Sequence, residues 1–550
     1  MFQKSKPILR SHTLGLFPIR LAVVSLAALL LFGRELGAQI VLEAENGILV
    51  GTTVTTATGG YSGAGYVTGF DNPGDAVRWD FTATNGLYHL QIRFRSQYGQ
   101  KGFDATINGA VTTGMFPQST GFGSYAAGLV QLTNGVNMLQ ISGGWNYYEI
   151  DRADFVPAVT PPPPLPVPAT LADPQAAFAA RMLLADLVAD YGKVTWSGQM
   201  EPSEATNAFN ITGRRPVIVS ADFMDYSPSR ITYGANPGNL TERVIALENV
   251  SHALSMCWHW NAPTNLLNTT GHEWWSGFYT HATTFDVAAA LANTNSTEYA
   301  LLLRDMDAIA TQLKKFATNN IPVLWRPLHE SEGGWFWWGA KGPEPFKQLW
   351  RLLYSRLTQY HGLHNLIWVL TSEDPAWYPG DDVVDIIGVD GYPTDKGDPL
   401  SSRWEALKAR FDGNKLIALT EFGGVPDVPK MHRFGVWFSY FLPWTGTYGP
   451  TGMPAETVVR VYQSTNVVTL EEANAVPSRI VTIGRTNSLM QLAAKGTRGA
   501  THRLLASTNA ALPAATWTPI ATNKFTGGVF TFTDTKATNF PMRFYRVVKP

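Results

Sequence analysis

The sequence predicts a multidomain protein: a central (β/α)8 TIM barrel flanked by an N-terminal β-sandwich of the jelly-roll type and a small C-terminal β-sandwich. Three observations carry that expectation. Between residues 171 and 476, eight short apolar runs alternate with amphipathic stretches, the grammar of a parallel sheet with helical crossovers. Residues 39–158 and 477–550 show short alternating runs broken by turn signals, the grammar of antiparallel β-structure. A proline run, residues 160–168, divides the first of these regions from the barrel.

In chain order, Lys4, Lys6, Arg10 and Arg20 precede an apolar run at residues 21–32, followed by Leu36-Gly37-Ala38. This is the layout of a secretory signal peptide, residues 1–38, with cleavage after Ala38. The run is short for a membrane span, although an uncleaved anchor is the alternative. The expectation is an exported protein, secreted or held at the cell surface or periplasm, with no stable membrane span once the signal is removed. The 550 residues carry a net charge of -1 and no large basic patch, which argues against nucleic acid as a partner. Only 15% of residues are charged, below the roughly 25% of ordinary globular proteins, as suits a protein that binds neutral polymers. The single cysteine, Cys257, rules out an internal disulfide framework and lies in an apolar run, so it reads as core. A monomer is expected.

Within residues 39–158, runs such as 76–81 and 88–94 alternate apolar and polar residues. Asn72-Pro73-Gly74, Asn85-Gly86, Asn108-Gly109 and Asn134-Gly135 mark the turns between runs. The linker, 159–170, favours extended polyproline II and is expected to hold the sandwich apart from the barrel. Barrel strands are expected at 193–197, 216–221, 253–258, 321–328, 366–370, 386–389, 416–420 and 438–442. A helix over 298–316 places Leu301, Leu302, Met306, Ile309 and Leu313 at helical spacing. No glycine-rich phosphate loop follows the first strand, which favours a barrel over a doubly wound open sheet. After 477, β-like runs at 479–483, 502–506, 528–533 and 543–548 give the small C-terminal sandwich.

The chemistry concentrates after the fourth expected strand. There the chain reads Trp325-Arg326-Pro327-Leu328-His329-Glu330-Ser331-Glu332-Gly333-Gly334-Trp335-Phe336-Trp337-Trp338-Gly339. Flat aromatic faces beside carboxylic acids suit a sugar-binding cleft. A second carboxylate, Glu421, ends the seventh strand in Leu419-Thr420-Glu421-Phe422-Gly423. Barrel chemistry sits at the C-terminal ends of strands, and strands four and seven face each other across the mouth. Two carboxylates flanking one bond are what glycoside hydrolysis requires. Glu330, among indoles, is the candidate general acid/base with a raised pKa, and Glu421 the candidate nucleophile. For a retaining mechanism their carboxyl groups should stand about 5–5.5 Å apart. No His/Asp/Glu cluster has catalytic-metal spacing, so no cofactor is expected for catalysis.

These two motifs resemble glycoside hydrolase family 26, whose predominant activity is endo-β-1,4-mannanase. The family has histidine before its acid, as His329 stands here. The resemblance implies a retaining endo-β-mannanase acting on mannan, galactomannan or glucomannan. A relative acting on mixed-linkage β-glucan or β-1,3-xylan, or a non-catalytic carbohydrate-binding protein, remains the alternative. It also implies substrate contacts for His259, in Trp258-His259-Trp260-Asn261, and for Trp335 and His329. Tyr392, in Gly388-Val389-Asp390-Gly391-Tyr392-Pro393, matches the tyrosine that positions the nucleophile. Trp275 and Trp444 lie near strand ends as further sugar-binding candidates, while Asp222, Asp225 and Asp390 read as hydrogen-bonding supports. One departure is visible: Ser331-Glu332-Gly333 stands where the family has methionine, asparagine and glycine.

Residues 39–158 open on Val41-Leu42-Glu43-Ala44-Glu45 and end near Asp151-Arg152-Ala153-Asp154-Phe155, which resembles carbohydrate-binding modules of families 6 and 35. That resemblance implies a structural calcium held by Glu43, Glu45 and Asp154, and sugar contacts from Trp145 and Tyr98.

Overall fold

The computed structural model describes residues 38–143, 147–247, 251–486 and 489–550. The expected signal peptide, apart from Ala38, and Trp145 lie outside the described residues. Eight parallel strands close a barrel: β1 (Thr195–Met200), β2 (Ile218–Asp222), β3 (Ala253–Trp258), β4 (Val323–Pro327), β5 (Leu366–Thr371), β6 (Ile386–Gly391), β7 (Leu416–Phe422) and β8 (Tyr440–Pro443). Each pairs with the next, and β8 and β2 both pair with β1, which completes the ring. Every residue of β1, β3, β5 and β7 is buried. Barrel strands face packed side chains inside and helices outside, which is why they read as unbroken apolar runs.

The expected helix spans Thr297–Thr318, capped by the Ser296 hydroxyl accepting from Tyr299 N, and buries Leu302, Met306, Ile309 and Leu313 against the barrel. The fourth strand is shorter than its apolar run: Leu328 and Glu330 adopt left-handed backbone (φ 52° and 53°), which ends the strand and turns the chain over the mouth.

The N-terminal sandwich has a six-stranded and a five-stranded antiparallel sheet. Its core includes Phe81, Phe94, Phe103, Phe116 and Phe155. The linker does not hold it apart from the barrel. Thr160 Oγ1 donates to Arg433 O (3.2 Å), Leu165 N donates to Asp412 Oδ1 (2.7 Å), and Val167 is buried in the barrel's own core cluster. The sandwich docks on the helix Ser401–Phe411: Leu129 N donates to Ser401 Oγ (2.7 Å) and Ser402 Oγ donates to Ala126 O (2.7 Å). At Gly128 a Cβ would stand 2.4 Å from Ser401 Oγ, so the close approach needs glycine. Proline content foretold the linker's extended path but could not foretell its contacts.

The C-terminal region forms two three-stranded antiparallel sheets over a small core of Ala494, Phe525 and Val547. It leans on the barrel through the ion pair of Lys495 with Asp186 and through Asn320 Nδ2 donating to Thr526 O (3.3 Å). Among the described residues no helix is long and apolar enough to cross a membrane.

Candidate active site

At the C-terminal mouth of the barrel a cavity of about 420 Å³ is lined by side chains from the ends of β3 to β8. Arg326, in β4, is 1% exposed and anchors its floor. Its Nη2 donates to Glu421 Oε2 at 2.6 Å and its Nη1 to Asp390 Oδ2 at 2.5 Å. The Tyr392 hydroxyl donates to the other Glu421 oxygen, so both oxygens of Glu421 accept. Glu330 stands across the cavity with no cation in hydrogen-bonding contact among the described residues, and its Oε2 accepts from Trp335 Nε1 at 3.0 Å. Oxygens of Glu330, Asp390 and Glu421 lie within 4.8 Å of one another.

The two acids therefore differ electrostatically. Burial, and then the nearby Glu421 carboxylate, push the Glu330 pKa above the ordinary glutamate range, against the pull of Arg326 and the Trp335 N–H. Burial and the Glu421 carboxylate likewise raise the Tyr392 phenol, which keeps its proton and stays a donor. Behind Glu330 runs a chain of imidazoles. Asp222 Oδ2 takes His259 Nδ1 at 2.5 Å, and His259 Nε2 meets His329 Nε2 at 3.1 Å. Burial opposes charge on His259, yet the Asp222 carboxylate outweighs it and raises that pKa. His329 is held well below the ordinary range by burial and by the positive charges of Arg326 and His259, so it is neutral.

The profile of glycosyl hydrolase family 26 matches residues 172–472, and that of carbohydrate binding module family 35 matches residues 40–158. The chain belongs to glycosyl hydrolase family 26. It is a multidomain glycoside hydrolase with an N-terminal family 35 module. It is similar to a mannan endo-1,4-beta-mannosidase of Thermothelomyces thermophilus, 43% identical over 78% of this chain and 89% of that protein. Mannan endo-1,4-beta-mannosidase A of Piromyces sp is 32% identical over 77% of this chain and 71% of that protein. Among solved structures, the Podospora anserina GH26-CBM35 beta-(1,4)-mannanase superposes with a TM-score of 0.58 at 44% identity, covering 80% of this chain and 99% of that one.

In this family 26 chain the fold brings Glu330, Glu421, His259, His329, Trp335, Tyr392 and Trp444 to one cavity. Trp335 is 46% exposed, with its indole packed over Gly333, where a Cβ would stand 2.1 Å from the ring. His329 is almost fully covered and turns its Nε2 to His259 rather than to open space. Trp275 does not join them: it is 54% exposed outside the cavity, with its backbone carbonyl taken by Arg230. Asp225 pairs with Arg230 at 3.1 Å, away from the mouth. Trp337 and Trp338 are packing residues whose indole N–H groups donate to Trp260 O and His329 O. Tyr98 is 71% exposed at the rim of a separate cavity of about 820 Å³ in the N-terminal module, beside Tyr147.

Sequence reasoning missed Arg326 as the pivot of the site, although a cation inside an otherwise apolar strand is a signal. It also missed Tyr279, Glu373 and Arg403, which line the same cavity and carry no motif.

Metal ligation fits unevenly. Among the described residues, groups of three donors within 4.8 Å are Asp222, Cys257 and His259, and Glu330, Asp390 and Glu421. In the second group, the cation shared by Asp390 and Glu421 is the Arg326 guanidinium. The expected calcium set does not gather as three. Glu43 and Glu45 converge on one turn, where Ser62 Oγ donates to Glu43 Oε2 (2.7 Å) and Ala64 N to Glu45 Oε1 (2.5 Å). Glu45 Oε2 is buried without a hydrogen bond among the described residues, an acceptor suited to a hard cation. Asp154 sits opposite Val41 and pairs with Arg152 Nε at 3.1 Å. Asp154 Oδ1, like Glu45 Oε2, is buried without a hydrogen bond among the described residues, while the acid bonded to that turn is Asp151, which accepts from Ser62 N (2.9 Å) and pairs with Arg93 Nε (2.6 Å).

Proposed function

We propose that this chain is an exported, retaining endo-β-1,4-mannanase, with Glu330 as general acid/base and Glu421 as nucleophile. One observation carries the reading: carboxylate oxygens of the two residues lie within 4.8 Å of each other, in opposite electrostatic settings. Inverting enzymes need more room, about 6.5–9.5 Å between carboxyl groups, to seat a water on the far face of the sugar. Names of the similar proteins supply the substrate class, β-1,4-mannan.

Glu330, kept protonated by its buried position, gives its proton to the glycosidic oxygen as the bond to the anomeric carbon breaks. Glu421, oriented by Arg326 and Tyr392, attacks that carbon and forms the glycosyl-enzyme. Glu330, now ionised, takes a proton from water, which displaces Glu421 and restores both groups. Trp335 holds the acid at the cleft wall and offers its face to the sugar next to the bond. The exposed Tyr98 of the docked module is proposed to hold the same polymer, and Glu43 and Glu45 to bind a structural calcium. Residues 1–38 are proposed as the export signal.

Reducing-sugar release from mannan, mixed-linkage β-glucan and β-1,3-xylan, measured side by side, tests this reading. Mannan should be cleaved fastest, and Glu421→Ala should release nothing. Preference for glucan or xylan would overturn the substrate, and activity in Glu421→Ala would overturn the nucleophile.

A further inference from the structure

Beyond Glu330 the cleft wall is built by loops that the roles above leave unused. Glu332 has its carboxylate filled by three donors: Ser372 Oγ and the backbone N–H groups of Glu373 and Asp374, the latter two at 2.9 Å. That clasp fixes the loop after β5 against the loop after β4, and Arg410 Nη1 holds it from behind by donating to Glu373 O at 2.5 Å. Glu332, the departure from the family pattern, is thus a structural latch. The residue it positions is Glu373.

The Glu373 carboxylate accepts from Arg403 Nε (2.9 Å) and Nη2, and Nη2 also donates to Asp390 O at 2.7 Å. Among the described residues Arg403 Nη1 makes no hydrogen bond. Both side chains line the cavity, 33% and 23% exposed. Gly391, at the end of β6, leaves the space Arg403 needs: a Cβ there would stand 3.1 Å from Arg403 Nη1. The pair is therefore rigid, electrically neutral and open to the cleft. A guanidinium with two free N–H donors beside a carboxylate with spare lone pairs matches adjacent hydroxyls of a neutral sugar: one oxygen accepts and its neighbour donates. An anionic ligand is disfavoured, because Glu373 already cancels the Arg403 charge.

Position assigns the side. Glu373 and Arg403 follow β5 and β6, on the short arc of the ring between the acid's strand β4 and the nucleophile's strand β7, whereas His259 after β3 and Trp444 after β8 stand on the other arc. The sugar that becomes bonded to Glu421 covers the nucleophile, and the departing chain lies past the acid. We propose that Arg403 and Glu373 form a sugar-binding subsite for the leaving-group portion of the polymer, reading adjacent hydroxyls of the departing mannosyl unit. The proposal rests on the mannanase reading and adds residues that determine which leaving groups are accepted.

The test compares kcat and KM for mannopentaose and for an aryl β-mannobioside, whose leaving group has no hydroxyl pair, in wild type, Arg403→Ala, Arg403→Lys and Glu373→Gln. The expected loss in kcat/KM on mannopentaose is about 10- to 100-fold, the worth of a hydrogen bond to a charged group, and appears chiefly in KM. The loss on the aryl glycoside should be several times smaller. Arg403→Lys and Glu373→Gln keep polar groups of similar size, so a misfolded Arg403→Ala does not obscure the outcome. Equal losses on both substrates would overturn the subsite and reduce Arg403 to a prop for Asp390. Unchanged kinetics in every variant would overturn it too. A wild type inert on both substrates would overturn the mannanase reading and the subsite with it.

Discussion

The ends of β4 and β7 each present a glutamate to the same cavity, yet they hold it by opposite means. At β7, Glu421 has a guanidinium on one oxygen and a phenol on the other, and Arg326 is itself fixed by Asp390. At β4, Glu330 sits on left-handed backbone, desolvated, with an indole donor and a neutral histidine before it. The same side chain thereby meets two settings, which fit the two roles proposed above: nucleophile at β7 and proton donor at β4. Environment, not residue type, divides the labour.

The largest expected effect breaks this pair directly. Glu421→Ala should lower kcat on mannan by about 10⁴-fold or more. Glu330→Ala should cost about 10²–10⁴-fold, and its loss should shrink on aryl glycosides whose leaving groups need no proton. Equal losses for the two variants on such activated substrates would erase the proposed division of roles. Next comes the anchor of the β7 side. Arg326→Met leaves two buried carboxylates without their cation and should destabilise the fold by about 3–5 kcal/mol in denaturant unfolding; an unchanged midpoint would show that the ion pairs do not hold the site.

A smaller effect sharpens the β4 side. Activity that needs protonated Glu330 is lost as pH rises through its raised pKa. The Trp335 N–H favours the ionised form, so Trp335→Phe should move the alkaline limb of the kcat/KM profile to higher pH. A shift to lower pH would contradict the assignment. Smallest at the chemistry is a disturbance remote from both acids. Gly128→Val, at the docking surface, should cost about 1–3 kcal/mol of stability while leaving kcat on soluble manno-oligosaccharides as in wild type. A large change in kcat would mean that the module shapes the site.

Much of this was legible in the sequence. Strands buried on both faces leave continuous apolar runs, so all eight barrel strands were placed to within a few residues, and an acid at the end of such a run marks the mouth. Other features depend on contacts between distant loops. The bonds of Glu332 to Ser372 and Glu373, and of Glu373 to Arg403, join three separate crossovers and have no local spacing to betray them. Trp275 was a sugar-binding candidate from its place near a strand end, but the fold leaves it exposed and outside the lining of the cavity at the mouth. The left-handed turn at Leu328 and Glu330 ended β4 early at two residues that carry no glycine signal.

The central claim is that Glu421 bonds to the sugar while Glu330 moves the proton. Proton NMR of the first product released from a β-mannan oligosaccharide tests it most directly. The β anomer should appear at the new reducing end before mutarotation, the result of two inversions at one carbon; an α anomer formed first would mean a single displacement and contradict the account.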